Sequence, residues 1–356
     1  MPSILILGAS YGSLFATKLL LAGHSVELVA PPRVAALINR EGTRVYFPVR
    51  GRADPVEVDS RRLPGRLTAA APADVDPRRH DLVVFAMQEP QFRAPEIRAL
   101  LAGVTAANRP CLSIMNMPPL PYLARIPGLA TAPCRPCYSD AGVWEMLDPL
   151  LLTFCSADPQ AAHVPGRPEN VIQVRLPTNF RAAQFEFEAH TSLLEQLARD
   201  IDAARFPSPD GPLALPVRLR VHESSFVPLS KWPMLIAGNY RCILEGGVRS
   251  IDAAVHEDPA ASRAIYGWVL ELLRRFGAAE QDLVPFEAYS AAATSLTLPS
   301  SAARAIAAGA VQIERVDRLV QAVAAQKSMR LPALDALVAV VNARLLENRN
   351  AMSRRA

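Results

Sequence analysis

The chain has 356 residues, half of them apolar, and its 38 basic and 34 acidic side chains leave a formal charge of +4. That length exceeds one ordinary core and predicts two domains, while a mild charge without a basic stripe excludes the electrostatic footprint of a nucleic-acid binder. No apolar run reaches the length of a membrane span, and the N-terminus enters a strand with no basic region or cleavage site before it. The expectation is therefore a cytoplasmic protein with neither membrane nor nucleic acid among its partners.

Ile4–Leu7 reads as an apolar strand, followed by a helix over Leu14–Ala22 closed by Gly23. Val26–Val29, Asp81–Ala86 and Cys111–Met115 read as further strands, near-continuous apolar runs of the kind buried on both faces of a parallel sheet. Helices over Arg33–Asn39 and Ala94–Leu101 complete βαβ units. From about Cys134 to Arg175 the text is irregular and proline-rich, ending in a strand at Val171–Leu176, and a helix follows over Thr191–Ala204. Phe206-Pro-Ser-Pro-Asp-Gly-Pro212 is the strongest punctuation in the chain. Beyond it, Pro228–Glu245, Ala260–Phe276, Ala302–Ala325 and Leu334–Leu346 carry apolar residues at helical spacing. The expected fold class is α/β plus all-α: a Rossmann-like, doubly wound parallel sheet over residues 1–217 and an all-helical domain over 218–356.

Between the first strand and its helix stands Gly8-Ala9-Ser10-Tyr11-Gly12. In a full G-x-G-x-x-G dinucleotide turn the first glycine permits the bend, the second admits the pyrophosphate, and the third packs helix on strand. Here Ser10 takes the second place and Gly12 arrives one residue early. Gly8, Ser10, Tyr11 and Gly12 are candidate cofactor contacts, with the phosphates meeting the helix N-terminus. The end of the second strand reads Ala30-Pro31-Pro32-Arg33, with no acid for a ribose 2′-hydroxyl. Arg33 suits a 2′-phosphate instead, which favours NADP over NAD. The bland alternatives are a doubly wound fold without nucleotide and an ordinary exposed arginine.

Five cysteines argue against a disulfide framework, and Cys134-Arg-Pro-Cys137 sits among prolines with no second ligand pair, so structural or incidental cysteines are expected and no metal site. The six histidines never fall at metal-ligand spacing; His222 and Glu223 are expected to border the domain junction. Arg175-Leu-Pro-Thr-Asn-Phe-Arg181 has no assigned role.

In the second half, Lys231, Leu235 and Asn239 repeat at four-residue spacing and are expected to share one helix face. At this point, and through Gly12-Ser-Leu-Phe-Ala16 and Ala22-Gly-His24, the chain resembles the ketopantoate reductase family (2-dehydropantoate 2-reductases of the ApbA/PanE type). The resemblance implies that Lys231 falls on the family's proton-donating lysine and Asn239 on its second substrate-binding asparagine, while Leu235 replaces the first. It further implies that Asn116, in Ile114-Met-Asn-Met117, matches a strand-end asparagine serving cofactor and substrate. Gln88 stands where the family has a lysine near the cofactor. Ser300 or Ser301, with Glu314 downstream, matches a serine and glutamate that close the substrate pocket. The set is chemically coherent: a ketone receiving hydride needs a proton at its developing alkoxide, which a lysine can supply while a glutamate orients it. The alternative for Glu314 is the charged face of a helix.

The function expected is NADPH-dependent reduction of a 2-keto acid in the cleft between domains, with a homodimer left open. The alternative is an NADP-binding sensor or scaffold without turnover.

Overall fold

The computed structural model describes residues 1–209 and 211–354; Asp210, inside the punctuating stretch Phe206–Pro212, and the last two residues lie outside the described residues. The chain forms two compact units: residues 1–87, 91–122 and 142–223, and residues 88–90, 123–141 and 224 onward.

The first unit is built on an eight-stranded sheet, in the order Leu219–His222, Phe180–Ala183, Leu152–Ser156, Cys111–Met115, Leu82–Phe85, Ser3–Leu7, Ser25–Val29, Leu67–Ala70. Every neighbouring pair is parallel except Leu152–Ser156 with Phe180–Ala183. The apolar runs read from the sequence become its central strands, and Ile4–Leu7 and Leu82–Phe85 are wholly buried, as strands covered on both faces must be. From Ser3–Leu7 the chain steps outward to Ser25–Val29 and Leu67–Ala70, then returns to the other side at Leu82–Phe85. That reversal is the switch point at which open α/β sheets hold ligands, beyond the strands' carboxyl ends.

Val171–Leu176 is a strand as expected, but it joins a second sheet of four strands with Arg44–Phe47, Val56–Asp59 and Gln160–His163. The helix Gly12–Leu21 touches strands of both sheets, and all ten of its residues are buried. It is therefore covered on every side rather than on one stripe, with Ser13, Thr17 and Lys18 buried among the apolar residues and each donating to a carbonyl. Gly23 ends it at φ +89°, with Gly23 N–H on Leu20 O and His24 N–H on Leu19 O, both at 3.0 Å. This is a Schellman cap, which a left-handed residue without a Cβ makes available.

The second unit is helical apart from a short hairpin of Ile243–Leu244 with Gly247–Val248. Two predicted helices are corrected. The one expected over Pro228–Glu245 stops at Cys242, where the hairpin begins. The one expected over Ala302–Ala325 is two, Ser301–Ala307 and Val316–Ala325, so Glu314 lies in the connection and not on a helical face. Gly309, at φ +90° in that connection, marks the break. The chain enters this unit for the last time after Glu223, past the strand Leu219–His222, so His222 and Glu223 do border the division. No helix among the described residues is long and apolar enough to cross a membrane.

Candidate active site

In the first unit, Gly8 follows the carboxyl end of Ser3–Leu7 at the switch point, with φ +110°. A Cβ there would lie 2.6 Å from Ala86 O and 2.7 Å from Met87 Cγ, at the end of the neighbouring strand. Gly12 opens the helix, and a Cβ on it would lie 2.7 Å from Ile6 Cγ2. The shortened turn thus keeps a bending glycine and a packing glycine, while Ser10 takes the place that admits the pyrophosphate. Ser13, at the spacing of the third fingerprint glycine, is buried and its hydroxyl donates to Ala9 O. Ser10 is exposed on the turn. Tyr11 precedes the helix and donates its hydroxyl to Pro159 O at 2.6 Å, with its ring edge-on to Phe180. Burial, with Asp158 next, raises its pKa well above the ordinary value.

Asn116 follows the carboxyl end of Cys111–Met115, on the same edge of the sheet as the turn. Arg33 sits in the first turn of the helix Pro32–Glu41, 82% exposed, and pairs with Glu169 at 2.5 Å. Gln88 belongs to the second unit. An open groove of about 480 Å³, lined by Met1, Asp81, Arg109 and His190 among others, lies by the strands' amino ends and includes no predicted site residue.

In the second unit, the stretch from Pro228 to Cys242 is helical throughout but changes its winding. Leu235 N–H bonds to Trp232 O, three residues back, whereas Tyr240 N–H bonds to Leu235 O, five back. Leu235–Asn239 is therefore a single wide π turn, a feature that recurs at functional sites. Side chains satisfy carbonyls along it. Tyr289 Oη donates to Met234 O at 3.1 Å, Arg241 Nη1 to Ala237 O at 3.3 Å, and Ser300 Oγ to Asn239 O at 2.7 Å.

The wide turn corrects the predicted face. Between residues 231 and 240 the half-buried side chains are Lys231, Met234 and Asn239, while Leu235 is 2% exposed. Ser300, besides reaching Asn239 O, caps the helix Ser301–Ala307 by accepting Ala303 N–H; Ser301 is exposed. Glu314 is buried, and its Oε1 accepts Glu89 N–H at 3.3 Å. Glu89 is itself buried, with its carboxylate accepting both the N–H and the hydroxyl of Ser139. Tyr240 spans the connection beside Glu314, donating to Glu314 O at 2.5 Å and accepting Val316 N–H at 2.9 Å. Arg315 grips Asp317 through two nitrogens and Asn342 through a third, which holds the following helix in place.

No family model and no curated protein matches the chain. Solved structures do. D-mandelate dehydrogenase, in a ternary structure with NADH and anilino(oxo)acetate, superposes with a TM-score of 0.63 at 12% identity, over 98% of this chain and 99% of that one. The 2-dehydropantoate 2-reductase of Methylococcus capsulatus gives 0.62 at 14% identity, over 98% and 97%. The dimeric ketopantoate reductase of Staphylococcus aureus gives 0.60 at 13% identity, over 97% and 99%. The fold is that of the ketopantoate reductases.

Within the ketopantoate reductase fold, the residues named from sequence divide between the units. Gly8, Ser10, Tyr11, Gly12, Arg33 and Asn116 lie in the first, and Gln88, Lys231, Asn239, Ser300, Ser301 and Glu314 in the second. Sequence reasoning missed Glu89, Tyr240 and Tyr289, whose partners lie between 50 and 225 residues away for the contacts described above. No local signal marks them. Both cysteines of the C-x-x-C pair, Cys134 and Cys137, are buried, and burial pushes their thiols up to about 11 and about 12. Thiols held so far from ionisation do not act as nucleophiles near neutral pH.

Proposed function

We propose that the protein is a nicotinamide-dependent oxidoreductase that reduces the keto group of a 2-keto acid to a hydroxyl, with NADPH as the donor. One observation carries the reading: in the largely buried stretch 231–240, the two polar side chains Lys231 and Asn239, an ammonium and an amide, are left half-buried on one helix. NADPH, when bound, supplies the hydride that reaches the carbonyl carbon. Lys231 donates a hydrogen bond to the carbonyl oxygen, stabilises the charge that develops there, and gives it a proton. The neutral lysine then regains its proton from water. Glu314 orients Lys231 or binds a substrate hydroxyl, and Asn239, Asn116 and one of Ser300 and Ser301 hold the remaining polar atoms. Because the Ser300 hydroxyl already donates to Asn239 O, its part is to hold Asn239 in place.

Gly8 and Gly12 supply the cradle for the pyrophosphate, with Ser10 and Tyr11 beside it and Gln88 and Asn116 as further cofactor contacts. Arg33 receives the 2′-phosphate in exchange for Glu169. An exposed pair of this kind is worth at most about 1 kcal/mol, so a phosphate displaces the carboxylate at little cost. The likeness to the dimeric S. aureus enzyme extends the reading to a homodimer.

The test is a fluorescence titration with NADPH and with NADH, followed by turnover of a panel of 2-keto acids. NADPH should bind more tightly than NADH. Lys231→Ala should keep that binding and lower kcat by about 10²–10⁴, the usual contribution of a positioned proton donor. Binding of neither dinucleotide, or unchanged turnover in Lys231→Ala, ends the reading.

A further inference from the structure

We propose that Met234, and not Leu235, is the side chain presented to the variable substituent of the substrate, and that it selects an apolar, branched 2-keto acid. The inference rests on the reductase reading for the roles of Lys231 and Asn239. In an α-helix the residue four places after Lys231 would share its face, which is where Leu235 stands. Here the ladder advances by three at Trp232–Leu235 and by five at Leu235–Tyr240. A step of three followed by a step of five leads from Lys231 to Met234 to Asn239. These are the three side chains that stay half-buried, while Leu235 turns into the core at 2% exposure.

A second helix fixes this register. Tyr289 Oη donates to the carbonyl of Met234 itself at 3.1 Å. A Cβ on Gly238 would lie 1.9 Å from that hydroxyl, so a glycine there is what lets Tyr289 reach the turn.

The thioether of Met234 is unbranched and polarizable, fitted to an apolar substituent of variable shape. It offers no donor or acceptor comparable to an amide, so a hydroxylated substituent would lose its hydrogen bond to water without replacement.

The experiment compares kcat/KM with NADPH for 4-methyl-2-oxopentanoate, pyruvate and ketopantoate. Wild type should favour the branched acid. Met234→Ala should lower kcat/KM for it by about 10–200-fold and change that for pyruvate by less than about threefold. Met234→Leu, which conserves volume, should keep the preference. Leu235→Ala should lower the thermal midpoint and leave the substrate ratio alone; a ratio that moves with Leu235→Ala and not with Met234→Ala overturns the assignment. A readout besides turnover is peroxide oxidation of Met234 followed by mass spectrometry, which NADP⁺ with 4-methyl-2-oxopentanoate should slow about tenfold. Turnover without protection sinks the Met234 assignment alone. Neither turnover nor protection sinks it together with the reductase reading.

Discussion

A methyl group added at Gly8 would approach the carbonyl oxygen of Ala86 to 2.6 Å, and the backbone there, at φ +110°, is one that L side chains rarely adopt. The Ala86 carbonyl cannot yield cheaply, because Ala86 closes the adjacent central strand at the switch point. Gly8→Ala should therefore lose about 3 kcal/mol through backbone strain and overpacking together. Urea unfolding of the purified variant measures this. A loss below about 0.5 kcal/mol, the range of an ordinary surface substitution, would mean that the turn is held less tightly than its geometry indicates. Ser10 provides the contrast: it is exposed on the same turn, and Ser10→Ala has no packing to disturb.

At the scale of one element, the wide turn Leu235–Asn239 and the tyrosine seated against it form a pair that a double-mutant cycle can separate. Gly238→Ala drives a Cβ to 1.9 Å from Tyr289 Oη, and should cost about 3 kcal/mol as overpacking. Tyr289→Phe removes a hydrogen bond to Met234 O, about 1 kcal/mol. Together they should cost about 2 kcal/mol less than the sum of the singles, because the clashing oxygen is gone and the next ring atom, Cζ, stands at 3.1 Å. Chemical denaturation of the four proteins checks this; additive losses would show that the hydroxyl does not seat the turn. The same element shows where sequence reading stopped. Four-residue spacing placed Lys231, Leu235 and Asn239 on one face, and it would be right for an uninterrupted α-helix. The residue seated against the turn, Tyr289, lies 55 positions beyond the carbonyl it binds, and no local pattern announces it. Glu314 was obscured similarly, since its helical-looking text lies in a connection held by Tyr240. By contrast, Gly8, Gly12 and the central strands were legible, because a glycine turn and continuous apolar runs are local patterns in the text, even where the atoms they meet, such as Ala86 O beside Gly8, are distant.

For the whole molecule, the buried ionisable groups set opposing dependences on pH. Lys18, enclosed within the buried helix, donates to Leu215 O and Pro216 O at 3.0 Å, and burial lowers its pKa from 10.5 to about 8. A folded pKa below the unfolded value means that the unfolded chain binds more protons between them, so this group adds stability as pH rises, about 2 kcal/mol from pH 8 to 10. The buried thiols act in the other direction. Cys111, Cys134 and Cys137 are pushed from 9.0 up to about 12, 11 and 12. Here the folded chain holds the proton longer, and stability present below pH 9 is lost as pH climbs toward the folded values. Each thiol forfeits on the order of 1 kcal/mol by pH 10, so the three together outweigh the gain at Lys18. Urea midpoints should accordingly fall between pH 8 and pH 10. Lys18→Met should steepen the fall, and replacing the three cysteines by alanine should reduce or reverse it. A wild-type midpoint that rises over this interval would show that the thiols ionise near their ordinary value in the folded protein.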